Sequence, residues 1–114
     1  MYVIITHFKV KSIWALPLFQ WHAYRSYGQA NSSRGIISSE AWPEKGRVFC
    51  TLTLWESKAA MLKFRNSGAH LQAMKMSHKL GTGITHSWEA HELPGKEEAL
   101  ARLFHVHESR EQVA

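Results

Sequence analysis

The sequence predicts an α+β fold in the order β-α-β-β-α-β, with one more helix after the last strand. Three observations point to it. Stretches at 2–11 and 47–55 are dense in β-forming side chains. Apolar residues return at helical spacing between 17 and 31 and between 57 and 80. Clusters of Gly, Pro and Ser separate these stretches where the chain has to turn.

The elements follow in order. Tyr2–Lys11 reads as the first strand, built on Val3, Ile4, Ile5, Phe8 and Val10. Pro17 suits the first turn of a helix, where its missing N–H costs nothing. Phe19, Ala23, Tyr27 and Ala30 form the expected buried stripe of that helix, and Asn31-Ser32-Ser33 with Gly35 closes it. Ile36–Trp42 is the second strand, Pro43–Gly46 a turn, and Arg47–Trp55 the third strand, giving an antiparallel hairpin. Ser57 is placed to cap the next helix, which carries Ala60, Met61 and Phe64 inward. Gly68 breaks it, and Ala69–Leu80 resumes with Ala73, Met74 and Leu80 inward until Gly81 and Gly83. Ile84–His91 is the fourth strand, and Lys96–Glu108 a charged helix with Leu100, Leu103 and Phe104 on one side. This is the ferredoxin-like split arrangement, with helices on one face of an antiparallel four-stranded sheet. The expected division is a ferredoxin-like domain over 1–92 and a helical extension over 93–114.

The third strand is largely apolar in both phases. Val48, Cys50, Leu52 and Leu54 share one face; Phe49 and Trp55 share the other with Thr51 and Thr53. Two helices cover only one face of a sheet, and a monomer rarely exposes a large apolar patch. The sequence therefore predicts a homodimer joined through the sheet face.

Composition is that of a globular chain: 114 residues, 45% hydrophobic and 20% charged. A lone cysteine, Cys50, reads as a buried core thiol and excludes an internal disulfide. No signal peptide or membrane span is legible, so a cytoplasmic protein without membrane attachment is expected. Charge is uneven: residues 1–88 carry 11 Lys/Arg against 3 Asp/Glu, and residues 89–114 carry 3 against 6. The cations are scattered, which reads as a solvated surface. The stacking signature of RNA-binding sheets is absent, and no nucleic-acid partner is expected.

The run T-L-W-E-S-K-A-A-M-L-K-F-R-N-S-G-A-H-L-Q-A-M at 53–74, with H-S-W-E at 86–89, resembles the antibiotic-biosynthesis-monooxygenase-like superfamily of dimeric α+β barrels. Within it the run is most similar to poorly characterised members akin to spheroidene monooxygenase. The likeness spans Tyr2 to His91 in element order and leaves the last helix out. It implies a ferredoxin-like protomer, a homodimeric barrel, and a pocket between helices and sheet. It also implies a monooxygenase that acts on an aromatic or hydrophobic small molecule without metal or flavin. A haem-degrading branch would need an Asn on the first strand, and a Trp and a His on the segment after the third. Those positions hold Thr6 or His7, Phe64 and Met74, so haem is disfavoured and no cofactor is expected.

Among the chemical candidates His70 comes first. It follows the Ser67-Gly68-Ala69 break at a helix start, where the positive helix end favours neutral imidazole, a proton acceptor. Such a base could activate a phenolic substrate toward oxygen. Trp55, Arg65, Asn66, His86 and Trp88 are the expected substrate-binding residues: flat walls and polar groups for an aromatic ligand. No histidine pair has zinc-helix spacing and no second cysteine exists, so no metal site is expected. With no Asp in the chain, a Ser-His-Asp triad is excluded. The competing reading is a non-catalytic homodimer that binds a small ligand or serves as a partner module.

Overall fold

The structure is a computed structural model that describes the backbone of residues 1–113 and the side chains of residues 1–108. Strand β1 (Tyr2–Val10) leads through a 3-10 turn (Ile13–Ala15) into α1 (Leu16–Asn31). Strands β2 (Ile36–Glu44) and β3 (Val48–Trp55) form the hairpin. Helices α2 (Lys58–Arg65) and α3 (Gly68–Leu80), strand β4 (Gly81–Glu89) and helix α4 (Lys96–Val113) complete the chain. The sheet is antiparallel with strand order β2-β3-β1-β4, the ferredoxin-like order.

Local chemistry explains most boundaries. The Ser57 hydroxyl accepts the Ala60 N–H and starts α2, as expected. Gly68 sits at φ +59, a left-handed conformation, and separates α2 from α3. The strand β2 runs through Pro43, which the sequence reading assigned to the turn. Strand β2 is an edge, so a missing N–H is tolerated there. Strand β4 begins at Gly81 rather than Ile84, with no loop after α3. A Cβ at Gly81 would stand 2.0 Å from the Lys9 carbonyl oxygen, so only glycine permits β4 to lie this close to β1.

The register sorts side chains onto two faces. Tyr2, Ile4, Thr6 and Phe8 of β1 lie beside Trp55, Thr53, Thr51 and Phe49 of β3 on the inner face. Helix α1 crosses this face. At one end Phe19 stacks on Phe8 at 5.2 Å and packs on Phe49 at 4.7 Å; at the other Ala30 packs with Tyr2, Trp55 and Met61. The inward line of α1 is Phe19, His22, Ser26 and Ala30, whereas Ala23 and Tyr27, expected in the stripe, are exposed. Met74 is exposed too, while Leu80, expected inward with it, is buried.

The outer face is the apolar one. Val3, Ile5, Leu52 and Leu54 are buried there, and α4 supplies Ala99 and Leu103 to the same cluster. Ala99 and Leu103, beyond residue 93, are therefore part of the core cluster of the first 92 residues. Phe104 of the same helix is partly exposed and meets the His7 ring edge-on at 5.3 Å. Contrary to the sequence reading, the chain covers its own second apolar face, which removes the reason given there for pairing sheets with a second copy. Among the described residues no helix is long and apolar enough to cross a membrane.

Candidate functional site between the helix layer and the sheet

The inner face is rich in hydroxyls. By register, Thr6 lies opposite Thr51 and Thr85, and Ile4 opposite Thr53 and Ser87. Ile4, Thr6, Thr51, Thr53 and Ser87 are only half-buried and Thr85 is exposed, although three helices lie on this side. The partial exposure leaves a floor of hydroxyl groups reachable from solvent on the side of the sheet that faces the helix layer. Several are tied together: Tyr2 Oη lies 2.9 Å from Ser87 Oγ, and Thr6 Oγ1 lies 3.2 Å from Thr85 Oγ1. The Trp55 indole N–H donates to Thr53 Oγ1 at 2.9 Å. Hydroxyls both donate and accept, so such a floor suits phenol, carbonyl or quinone oxygens on a flat ligand.

An aromatic ladder closes one end. Trp55, fully buried, stacks on Phe64 at 5.0 Å, and Phe64 meets the His70 ring at 4.5 Å. His70 is half-buried, in the first turn of α3. Its Nδ1 lies 3.3 Å from the Arg65 carbonyl oxygen. A carbonyl only accepts, so Nδ1 carries the proton and Nε2 is left as the acceptor nitrogen. Burial pushes the imidazole below its ordinary value of 6.5; the carbonyl contact opposes this in part, and the Arg65 charge adds to it.

Gln29 of α1 holds this junction. Its Nε2 donates to the Phe64 and Ser67 carbonyls at 3.2 and 2.9 Å, and its Oε1 accepts the His70 N–H at 2.8 Å. One side chain thus meets a carbonyl in the last turn of α2, the N-cap carbonyl of α3 and a free N–H of the first turn of α3. Ser67, at the N-cap of α3, makes no capping bond with its own side chain.

The expected site residues do not all meet. Trp55 and His70 share the inner side. Trp55 backs the ladder without joining the open floor, being sealed from solvent. Arg65 and Asn66 are exposed at the end of α2, where Arg65 acts through its backbone carbonyl and Asn66 caps the helix. His86 and Trp88 lie on the opposite face, since the register sets them beside Ile5 and Val3. They stack on each other at 5.2 Å, and Arg102 of α4 covers Trp88 at 4.9 Å. Trp88 lines a separate hollow of about 520 Å³ with His91, Pro94, Glu98 and Arg102. Sequence reasoning missed Gln29 and the hydroxyl floor. Thr51 and Thr53 at alternate positions of β3 were the available signal for the floor; a contact spanning 41 residues leaves none for Gln29. Among the described residues no cluster of three His, Cys or Glu side chains could hold a metal ion.

The fold has known counterparts. SnoaB, a cofactor-independent oxygenase from Streptomyces nogalater, superposes with a TM-score of 0.67 at 13% identity, over 83% of this chain and 97% of its own. Rv0793 from Mycobacterium tuberculosis matches at 0.71 and 12%, over 83% and 100%. A protein of Nitrosomonas europaea put forward as an antibiotic biosynthesis monooxygenase matches at 0.70 and 11%, over 81% and 100%. No family model and no curated protein matches the sequence itself. The chain shares the fold of antibiotic-biosynthesis-monooxygenase-like proteins. At such identities the likeness speaks for architecture alone.

Proposed function

We propose that the protein is a cofactor-independent monooxygenase for an aromatic small molecule, with His70 as the base. One observation supports this reading: the His70 Nδ1 lies 3.3 Å from the Arg65 carbonyl oxygen in a half-buried position, an arrangement that favours a neutral ring with Nε2 as the proton acceptor. The fold shared with SnoaB, a cofactor-independent oxygenase, supports the reaction class, and the hydroxyl floor supports an oxygenated aromatic ligand.

The chemistry balances without a helper group. Nε2 takes a proton from an acidic methylene conjugated to a phenol. The resulting carbanion transfers electrons to dioxygen and forms a C–O bond. Loss of water then turns the methylene into a carbonyl. One oxygen atom enters the product and the other leaves as water, so the substrate supplies all four electrons. The floor hydroxyls hold the phenolic oxygens and the Phe64 ring confines the base.

The test is oxygen uptake with anthrone-type tricyclic hydroxyarenes. The His70→Ala protein should lose roughly 10²–10⁴-fold in turnover while melting near the parent temperature. Uptake that His70→Ala leaves unchanged would overturn the role of His70. A parent protein that binds the arene and consumes no oxygen would favour the non-catalytic ligand-binding reading.

A further inference from the structure

The solvent side of the helix layer is unusual for a globular surface. Within one short segment Ile13 is 61% exposed, Trp14 87%, Leu18 42%, Trp21 52% and Tyr24 82%. Large side chains are seldom left in water so close together on a monomer. They occupy the 3-10 turn and α1 as far as Tyr24.

The charge around them has one sign. No Asp or Glu occurs before Glu40, and none lies in α1, α2 or α3, which carry Arg25, Lys58, Lys63, Arg65, Lys75 and Lys79. Helices α1 and α3 pack side by side, and Arg25 bonds Gln72 at 3.3 Å, as Gln29 bonds His70 nearer the start of α3. The two helices are thus antiparallel, and Lys75 and Lys79 fall toward the end of the layer that holds Trp14, Leu18 and Trp21. Lys11 joins them, its backbone N–H bonded to the Leu80 carbonyl at 2.9 Å. Arg25 itself stacks on Trp21 at 4.7 Å.

We infer that this face docks on the surface of an anionic phospholipid bilayer. Tryptophan and tyrosine suit the headgroup region, Ile13 and Leu18 reach toward the acyl boundary, and the lysines meet the negative surface charge. A second copy fits less well, since two such faces would set like charges together. A nucleic acid would use the aromatics and cations but gain nothing from Ile13 and Leu18. The mode is peripheral and independent of the chemistry at His70.

The test is co-sedimentation of the full chain with vesicles of phosphatidylcholine alone or mixed with phosphatidylglycerol, with a single-stranded oligonucleotide and analytical ultracentrifugation as controls. Mixed vesicles should retain the protein at least tenfold better than neutral ones, and retention should fall as salt rises. Trp14→Ser/Trp21→Ser and Lys75→Glu/Lys79→Glu should each reduce retention about tenfold or more without lowering the melting temperature; exposed positions carry little stability. Equal retention by both vesicle types, or variants that bind like the parent, would overturn the inference. So would an assembly that the Trp14/Trp21 variant breaks apart, or an oligonucleotide that binds more tightly than the mixed vesicles.

Discussion

The two faces of the sheet are built from the same strands and end up in opposite states. On the outer face Val3, Ile5, Leu52 and Leu54 lie under one helix and are at most 4% exposed. On the inner face Ile4, Thr6, Thr51 and Thr53 lie beneath a layer of three helices and remain half-open. Coverage therefore does not follow the number of helices. It follows what the helices and strands carry: α4 offers small and branched apolar residues to an apolar surface, while α1 offers His22 and Ser26 toward a floor of hydroxyls. The dry face holds the domain together, and the wet face is left free to bind.

Breaking the dry face should have the largest effect. Leu103→Ala removes a side chain that is 1% exposed and should cost about 2–5 kcal/mol in denaturant titrations. A loss below 1 kcal/mol would mean that α4 does not close the core. Next comes the clasp on the wet side. Gln29→Ala strips partners from the Phe64 and Ser67 carbonyls and the His70 N–H, and should cost about 1–3 kcal/mol. It should also free the His70 ring, visible as a changed imidazole shift in NMR spectra. The hydroxyl floor is expected to contribute little to folding. Thr51→Val should move stability by about 1 kcal/mol or less yet weaken binding of a hydroxyarene relative to its methyl ether; a melt several degrees lower would place Thr51 in the structural core instead.

Two titrations sharpen the contrast further. The folded state holds His70 below 6.5, so the unfolded chain takes up this proton first as pH falls. The His70 contribution to stability is therefore whole above 6.5 and declines as pH drops through 6.5 toward the folded value. The acid limb of turnover should likewise fall below pH 6.5, and a histidine titration by NMR checks both. On the dry face, burial and then the Glu44 charge push the Cys50 thiol up to about 11. Thiol reagents at pH 8 should leave native Cys50 untouched, and fast labelling would show that this face of the sheet opens readily.

Much of the fold was legible because local signals carried it. The Ser57 cap, the Gly68 break and the two-residue alternation of β1 and β3 each act within a few positions. The rest depended on distant partners. Trp88 belongs to the outer face only because β4 pairs with β1 in a register that sets it beside Val3. The apolar pattern of α1 favours Ala23 and Tyr27, whereas the helix turns His22 and Ser26 inward on the line that runs from Phe19 to Ala30. Most of all, nothing local in Ala99 or Leu103 says which surface they will close. For the site, His70 was visible through its neighbours in sequence, but the proton on its Nδ1 and the Gln29 clasp appear only once helices α1, α2 and α3 are assembled.

The direct passage from Leu80 to Gly81 has a mechanical consequence. Helix and strand share a peptide bond there with no slack between them, and the Lys11 N–H pins the Leu80 carbonyl. Helix α3 is thus fixed by the chain at residue 80 and clasped at its start by the Gln29 side chain. Release of that clasp should let α3 hinge near residue 80 and move furthest at residue 68, with Gln29 as the latch. Amide exchange should then be slowest at Lys11 and fastest around His70, which would make the latch, and not the junction, the door through which a ligand reaches the hydroxyl floor.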